Sequence, residues 1–394
     1  RLPNAIGLTL LSLGFSIIIL ALLSIGQLWV KPLQNYITGI NFSTTLLNGM
    51  LSYLLFASAL HINLVEIKQY KNTITVLATA SVIISCILIG YSVFYLLKYM
   101  GIDIDLPYCL LFGAMIAPTD PICVVNAMKR TRTPMRIRMI ITGESLLNDA
   151  AGILLYVIIL QVINGEMAQF HFMKILFMLI HQGFGGVVLG YCLGVFVSHF
   201  LKRANHDETA ILLTLALVTG GYAFATIIDV SGPIAMVFAG LVVGHRYNSA
   251  TVSNNTAEKL HSFWQLIDDI LNAFLFVMIG LTVLSVKINI LAVCIGELLF
   301  IMINLIRFIS ISLPMFILEP IKSYNWRVMT VMTWGGMRGG LSIALALGMY
   351  NALHPSYMTG FLLSASYSVV VLSIVFQGLS IQPLIKKLYP HKTA

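Results

Sequence analysis

The feature that most constrains this chain is a series of long apolar stretches that recurs along all 394 residues. Two examples, residues 6–30 and 74–97, are each long enough to cross a hydrocarbon core of about 30 Å. Hydrophobic residues make up 58% of the chain and charged residues only 10%, whereas soluble domains carry about 25% charged residues. The sequence therefore predicts an all-α polytopic membrane protein.

Twelve apolar segments can be distinguished along the chain. The second segment is short and the eighth is marginal, so neither would be assigned as a membrane crossing by itself. The full set is 6–30, 46–61, 73–98, 107–128, 138–163, 172–201, 209–228, 232–246, 262–284, 288–318, 326–350 and 357–385. We therefore expect about 12 helices in this chain.

The distribution of basic residues supports the full set, because Lys and Arg concentrate in the cytoplasmic loops of membrane proteins. The most basic loop follows the fourth segment and holds Lys129, Arg130, Arg132, Arg136 and Arg138. Alternation from that loop places most of the 23 Lys and Arg residues, and both chain ends, on the cytoplasmic side. The net charge of +8 is therefore typical of membrane topology, and no nucleic-acid partner is expected.

A few charged residues lie inside the predicted segments. Charge at membrane depth costs several kcal/mol, so each such residue is a candidate for function. The set is Asp120, Glu144, Asp149, Glu297, Arg307 and Arg338.

The stretch "PTDP" at 118–121 interrupts the fourth segment. Pro118 and Pro121 lack the amide hydrogens that would continue a helix, so the backbone must open around Thr119 and Asp120. Irregular backbone at this depth survives only where protein buries it or where it lines a wet cavity. The free oxygens suit a hard cation such as Na⁺. The alternative is a simple proline kink whose aspartate pairs with a structural arginine.

The next segment contains "GESLLNDA" at 143–150. Four polar or small residues follow the spacing i, i+3, i+4, i+7 and share one helix face: Ser145, Asn148, Asp149 and Gly152. Glu144 lies roughly 140° around the helix from Asp149, so it does not serve the same site easily. We predict instead a structural ion pair between Glu144 and a buried cation, with Arg307 as the best candidate.

A second interrupted helix is predicted near the end of the chain, where four glycines flank Arg338 in "GGMRGGLSIALAL" at 335–347. Glycine permits unwound backbone and close helix approach. Broken helices in both halves indicate the inverted-repeat plan of secondary transporters, with the ion site at the midplane. Arg338 would neutralise the carbonyl ends of the opened helices. The alternative is ordinary glycine packing, which the stretch "HQGFGGVVLGYCLG" at 181–194 represents better.

Together these stretches resemble the NhaP/NHE branch of the monovalent cation:proton antiporters. The carriers are "PTDP", "GESLLNDA" and "GGMRGGLSIALAL", and softer similarities lie at 54–64, 272–281 and 376–384. The resemblance implies an NhaA/NhaP-like fold of thirteen helices, built from two inverted six-helix repeats with two crossed, unwound helices. The chain starts with Arg1 rather than Met, so we expect the first of those helices to precede it.

The resemblance also implies a single exchanger domain over 1–394, with repeats at about 1–163 and 209–388, in a homodimer in the plasma or bacterial inner membrane. The implied Na⁺-binding and proton-binding residues are Asp149, Asp120, Ser145 and Thr119. Asn148 and Arg338 would support this site, and Glu144 with Arg307 would form a core ion pair. No cofactor is implied beyond the transported ions, Na⁺ or Li⁺ and H⁺. Many relatives have Glu where Ala57 stands, so the cation selectivity of this chain can differ.

The expected function is electroneutral 1:1 exchange of protons for Na⁺ or Li⁺ by alternating access, as part of pH homeostasis. Asn148 marks the electroneutral branch of the resembled family. The two aspartates would titrate as a coupled pair. Three alternatives stay open: a K⁺/proton antiporter of the same fold, a cation channel, and an intramembrane aspartyl protease that uses Asp120 and Asp149.

Overall fold

The structure is a computed structural model that describes residues 4–62, 64–129, 131, 133–165, 172–203, 206–248, 254–284, 289–318, 326–353 and 355–389. Regular structure in these residues is helical, apart from one isolated β-bridge between Asp120 and Met337. This agrees with the all-α class predicted from the sequence.

The helices are defined as follows, in chain order: α1 (Asn4–Ser24), α2 (Lys31–Thr38), α3 (Phe42–Thr44), α4 (Leu51–Leu60), α5 (Leu64–Lys68), α6 (Lys71–Val76), α7 (Val82–Tyr99), α8 (Leu106–Ile116), α9 (Ile122–Lys129), α10 (Met135–Ile163), α11 (Phe172–Leu179), α12 (Gly185–Leu201), α13 (Asp207–Ile227), α14 (Gly232–Asn248), α15 (Asn254–Leu281), α16 (Ile290–Leu318), α17 (Trp326–Gly335), α18 (Gly340–Ala352), α19 (Tyr357–Leu372) and α20 (Gly378–Leu388). Wide π turns join α3 to α4, α6 to α7, α11 to α12 and α19 to α20 without a break in the helix.

Nine helices in the described part of the chain are long and apolar enough to cross a membrane. Three shorter apolar helices accompany them, at Leu106–Ile116, Gly232–Arg246 and Gly340–Ala352. The protein is therefore a multi-pass membrane protein, as the sequence predicts. The total number of crossings and the inverted repeats stay predictions.

Both interruptions predicted from the sequence are present. α8 ends at Ile116 and α9 begins at Ile122, with Pro118 and Pro121 between them. α17 ends at Gly335 and α18 begins at Gly340, so the break covers the glycine-rich stretch around Arg338. Neither break is a regular helix, and Gly339 in the second break has extended backbone, with φ −118° and ψ −162°.

The second apolar segment starts earlier than hydropathy indicated. Its helix begins at Phe42 rather than near 46 and runs to Leu60, which is 19 residues. The reason is local, because the Asn41 side chain accepts a hydrogen bond of 3.2 Å from the Thr44 amide and so caps the helix. A cap residue is polar, so an average over hydropathy assigns it to the preceding loop.

The chain divides into two compact units. The first unit comprises Arg1–Thr45, Asn72–Glu166 and Ala273–Ala394, and the second comprises Leu46–Lys71 and Met167–Asn272. In the first unit α8 packs on α7 and α10, α16 packs on α7, α17 and α19, and α20 packs on α9. Both interrupted segments therefore lie in the first unit.

The second unit has an apolar core around Trp264, which is fully buried. Its indole lies 4.7 Å from the Phe56 ring between centroids and donates a 3.0 Å hydrogen bond to the Thr214 hydroxyl. α14 packs on α4, α12 and α13 in this unit. Ala57 is buried in the same core.

Candidate functional site

The two interrupted segments of the first unit meet at their breaks. The Asp120 amide donates a 2.7 Å hydrogen bond to the Met337 carbonyl, in an antiparallel bridge. This contact gives two opened backbones a partner that neither has in its own helix. The break after α8 and the break after α17 are therefore one structural feature.

Arg338 caps the carboxyl end of α8. Its Nη1 donates to the carbonyl oxygens of Ala117, at 2.7 Å, and Pro118, at 3.0 Å. Pro121 has no amide hydrogen for the Ala117 carbonyl, so the guanidinium replaces that donor. Arg338 is only 3% exposed. A buried positive charge therefore lies at the negative end of the helix, where it stabilises the exposed carbonyl groups.

Asp120 caps the helix that follows the break. Its Oδ1 accepts a 2.8 Å hydrogen bond from the Ile122 amide at the start of α9, and a carboxylate is favourable at a helix N-terminus. An ideal Cβ built on Gly339 would lie 2.8 Å from Asp120 Oδ2. The second break therefore passes so close to the carboxylate that a side chain at Gly339 would displace it.

Thr119 ties α10 to the break. The Ser145 hydroxyl donates to the Thr119 carbonyl at 2.7 Å. The Thr119 hydroxyl accepts from Asn148 Nδ2, at 2.8 Å, and from Arg307 Nη2, at 3.3 Å. One helical turn further along α10, Gly152 lies directly against Pro118. The face that the sequence assigned to the site is thus the face of α10 that contacts "PTDP".

Glu144 and Arg307 form a buried ion pair, with Arg307 Nη2 donating to Glu144 Oε1 at 2.8 Å. Their side chains are 4% and 1% exposed. Asn148 Nδ2 also donates to Glu144 Oε1, at 3.0 Å. Both protons of the Asn148 amide are therefore used to join Glu144 to Thr119.

Asp149 differs from these neighbours. It is half-buried, and within the described residues its carboxylate accepts no hydrogen bond. The charges of Asp120 and Glu144 act on it. Each of these neighbours makes at least one hydrogen bond within the cluster, although Asn148 Oδ1, Arg307 Nε and Arg307 Nη1 have no partner in the described residues. The carboxylate of Asp149 accepts none, so its oxygens are left for a cation or a proton.

Three further polar residues belong to this cluster but were not singled out from the sequence. The Arg338 amide donates to Ser373 Oγ at 2.8 Å, the Ser373 hydroxyl donates to Gln377 Oε1, and Gln377 Nε2 donates to Asn304 Oδ1 at 2.7 Å. Ser373 and Gln377 are buried. The sequence pattern that could have indicated them is the four-residue spacing of Ser373 and Gln377, which places both on one helix face. Gln377 also lies inside the stretch "FQGLSIQPL" that resembles the family.

Glu297 lies apart from this cluster. It is exposed on α16, and neither Asn304 nor Arg307 on the same helix bonds to it within the described residues. No group of three or more His, Cys, Asp or Glu side chains that could hold a metal ion occurs in the described part of the chain.

A multi-pass membrane protein in which two broken helices cross beside buried charges has the architecture of the ion-coupled secondary transporters. The family model described as "Sodium/hydrogen exchanger, transmembrane" matches residues 1–387. The chain therefore belongs to the sodium/hydrogen exchanger family, a family of cation/proton antiporters, which confirms the resemblance seen in its sequence.

Individual relatives agree with this assignment. The chain is 38% identical to the Na⁺/H⁺ antiporter NhaP of Pseudomonas aeruginosa, over 99% of this chain and 92% of that protein. It is 29% identical to the Na⁺/H⁺ antiporter NhaH of Halobacillus dabanensis, over 98% and 92%. Among solved structures, the sodium proton antiporter MjNhaP1 from Methanocaldococcus jannaschii at pH 8 superposes with a TM-score of 0.73 and 19% identity, covering 98% of this chain and 99% of that one. This last likeness shows the fold.

Proposed function

We propose that this protein is a secondary active antiporter that exchanges protons for Na⁺ or Li⁺ at Asp149 and Asp120. The observation that carries the proposal is the carboxylate of Asp149, which accepts no hydrogen bond within the described residues and lies beside two helix breaks that are bridged to each other. The relatives' names, Na⁺/H⁺ antiporter, support the choice of ions.

The coupling rests on competition. A cation at Asp149 and Asp120 needs carboxylate oxygens that carry no proton, so cation binding requires proton release. The occupied site then opens to the other side of the membrane by alternating access. One positive charge moves in each direction, so exchange is electroneutral with 1:1 stoichiometry. An empty, charged site is unfavourable in hydrocarbon, so the site does not change sides without a bound cation or proton.

The hydrogen bonds distinguish the oxygens available to the cation. The Ser145 hydroxyl uses its proton on the Thr119 carbonyl, so its lone pairs stay available. The Thr119 hydroxyl accepts two hydrogen bonds, which occupy both of its lone pairs. The Thr119 carbonyl accepts one and retains one. We therefore assign Asp149, Asp120, Ser145 Oγ and the Thr119 carbonyl as ligands.

The remaining charged and amide groups form the frame of the site. Asn148 and Arg338 support the breaks, and Glu144 with Arg307 forms the core ion pair. The chain would work as a single domain of two inverted repeats, at about 1–163 and 209–388, in a homodimer in the cell membrane with its C-terminus in the cytoplasm. No cofactor is required, and the physiological role is pH homeostasis and sodium transport.

One alternative keeps the fold and changes the ion. The resemblance implies a Glu at the position of Ala57 in many members of the family, and this chain lacks that carboxylate. A site with less negative charge compensates less well for the hydration water that Na⁺ or Li⁺ must lose on binding. Such a site would favour K⁺, and the protein would then be a K⁺/proton antiporter. This alternative shares the mechanism and differs only in selectivity.

The test is proton movement in proteoliposomes that contain an internal pH dye, with the membrane potential clamped. Na⁺, Li⁺, K⁺ or choline is added to wild type, to Asp149→Asn and to Asp103→Asn, a matched control at an exposed aspartate. We expect Na⁺ or Li⁺ to drive a pH change that does not depend on the potential, that Asp149→Asn abolishes and that Asp103→Asn retains.

Other outcomes are equally informative. A response to K⁺ alone would select the alternative antiporter. Wild-type exchange by folded Asp149→Asn would exclude Asp149 as the ion-binding carboxylate. Cation flux that needs no opposing proton gradient would indicate a channel and overturn the proposal.

A further inference from the structure

A groove lies between α16, α17 and α20, entirely within the first unit. Its volume is about 550 Å³, which falls in the usual range for small-ligand sites of about 300–1,000 Å³. The lining residues are Phe308, Thr330, Thr333, Trp334, Ser380, Pro383, Leu384 and Lys387.

The inner end of the groove presents an apolar surface. Trp334 Nε1 donates to Ser380 Oγ at 2.7 Å, and the Ser380 hydroxyl donates to the Phe376 carbonyl at 2.6 Å. The indole N–H and the hydroxyl are therefore satisfied, and the groove offers mainly hydrocarbon to an occupant. Phe308 is 44% exposed beside it.

The outer end of the groove is positively charged. Lys387 lies seven residues after Ser380 on α20, which is about 10.5 Å along a helix. Lys386 is exposed at the end of α20, and Arg327 is exposed at the start of α17. Neither helix contains an acidic residue. The groove therefore joins an apolar trough to a basic rim.

Trp326 sets the depth of that rim. It is the first residue of α17 and is 60% exposed, and exposed tryptophans of membrane proteins concentrate at the headgroup level. α17 packs against α20, and the Trp334–Ser380 bond pairs their inner ends. The basic rim then lies at the interface, and the apolar trough extends into the hydrocarbon.

We propose that this groove is a binding site for an anionic phospholipid of the surrounding bilayer. One acyl chain lies along the trough between α17 and α20, and the phosphate binds Lys387. Basic pockets between membrane helices bind anionic headgroups in this way. A neutral lipid would fill the trough but would gain nothing from the rim. The occupied groove supports α17, whose continuation provides the Met337 carbonyl that holds Asp120.

Fluorescence quenching of Trp334 by brominated lipid tests this proposal without reference to transport. In a Trp29→Phe/Trp326→Phe background the remaining tryptophans are Trp334, in the groove, and Trp264, which is fully buried. The protein is placed in vesicles where, at equal mole fraction, either phosphatidylglycerol or phosphatidylcholine carries bromine on its acyl chain. We expect the quenching of Trp334 to show that phosphatidylglycerol binds the groove about fivefold more strongly than phosphatidylcholine. This is the preference that one lysine near the membrane surface provides.

Lys387→Gln should remove this preference, so that both lipids quench equally, and Lys387→Arg should restore it. Lys386→Gln is the matched control, because Lys386 is the adjacent basic residue and does not line the groove; it should keep the preference. Equal quenching by the two lipids in the unmodified background would overturn the proposal. So would absence of quenching, or an equal loss in Lys386→Gln and Lys387→Gln, which would indicate only general surface attraction.

Discussion

Two regions of this protein use glycine for different purposes. In the second unit, Gly186, Gly190 and Gly194 line one face of α12, and the ideal Cβ of Gly190 would lie 2.2 Å from the Ala235 carbonyl on α14. Both helices are intact there. In the first unit, Gly336 and Gly339 lie in a broken segment, and their ideal Cβ atoms would meet Arg307 Nε at 3.0 Å and Asp120 Oδ2 at 2.8 Å.

In each region the absence of a side chain permits a different kind of close contact. Between α12 and α14 it lets two regular helices touch, and the gain is van der Waals packing. At the crossing it lets opened backbone approach charged side chains, and the gain is a polar cluster at membrane depth. Substitutions in the α12–α14 contact should therefore act on stability, and substitutions at the crossing glycines should act on exchange.

The largest effect is expected from the Glu144–Arg307 ion pair. This pair is an exception to the division, because it belongs to the polar cluster and its loss should nevertheless act on stability. Arg307→Met leaves the carboxylate of Glu144 buried without its cation and should lower the free energy of unfolding by about 3–5 kcal/mol. Thermal unfolding in detergent, followed by fluorescence-detected size exclusion, measures this. Arg327→Met, at an exposed arginine, is the control.

The double variant Glu144→Gln/Arg307→Met separates charge from packing. Without a buried carboxylate it should be more stable than Arg307→Met alone, since the uncompensated charge has gone. A double variant less stable than the single one would mean that the charges themselves do not set the cost.

The second prediction concerns the α12–α14 contact. Gly190→Ala forces the two helices apart and should destabilise the protein by about 1–3 kcal/mol, with exchange per folded molecule unchanged. Gly220→Ala on α13 is the matched control, because nothing lies within 4 Å of its ideal Cβ; it should be neutral or slightly stabilising through helix propensity. Equal melting temperatures for the two variants would show that the close approach contributes nothing.

The sequence predicts the features of this crossing that depend on local chemistry. Pro118 and Pro121 stand three residues apart and together remove two amide hydrogens that a continuous helix needs. The charges of Glu144 and Arg307 need each other inside a membrane. The bridge between Asp120 and Met337 depends on segments more than 200 residues apart, so no local pattern specifies it. Ser373 and Gln377 are uncharged and carry too small a burial penalty to stand out in an apolar helix. Asn41 acts through one capping bond that hydropathy does not register.

The third prediction is the counterpart of Gly190→Ala at the crossing. Gly339→Ala should displace the Asp120 carboxylate and slow exchange about tenfold or more, as misplacement of a reacting group by about 1 Å can do, with a smaller loss of stability than Gly190→Ala. Gly360→Ala in the same unit is the control, since its ideal Cβ is 3.9 Å from its nearest neighbour. Initial rates in proteoliposomes, normalised to folded protein, measure the effect. A Gly339→Ala protein that melts early but exchanges normally would reverse the assignment of the two regions.

The smallest effect distinguishes two buried serines. Ser145 Oγ donates to the carbonyl of another segment, at Thr119, whereas Ser198 Oγ on α12 donates to Gly194 one turn back in its own helix. Each Ser→Ala change removes one hydrogen bond, worth about 1 kcal/mol. Only Ser145→Ala also removes an oxygen assigned to the cation, so only it should raise the cation concentration for half-maximal exchange, by about fivefold for that energy. Cation titrations of the two variants at fixed pH measure this. A matching rise in Ser198→Ala would mean that loosened helices, rather than a lost ligand, weaken binding, and Ser145 would then belong to the frame of the site.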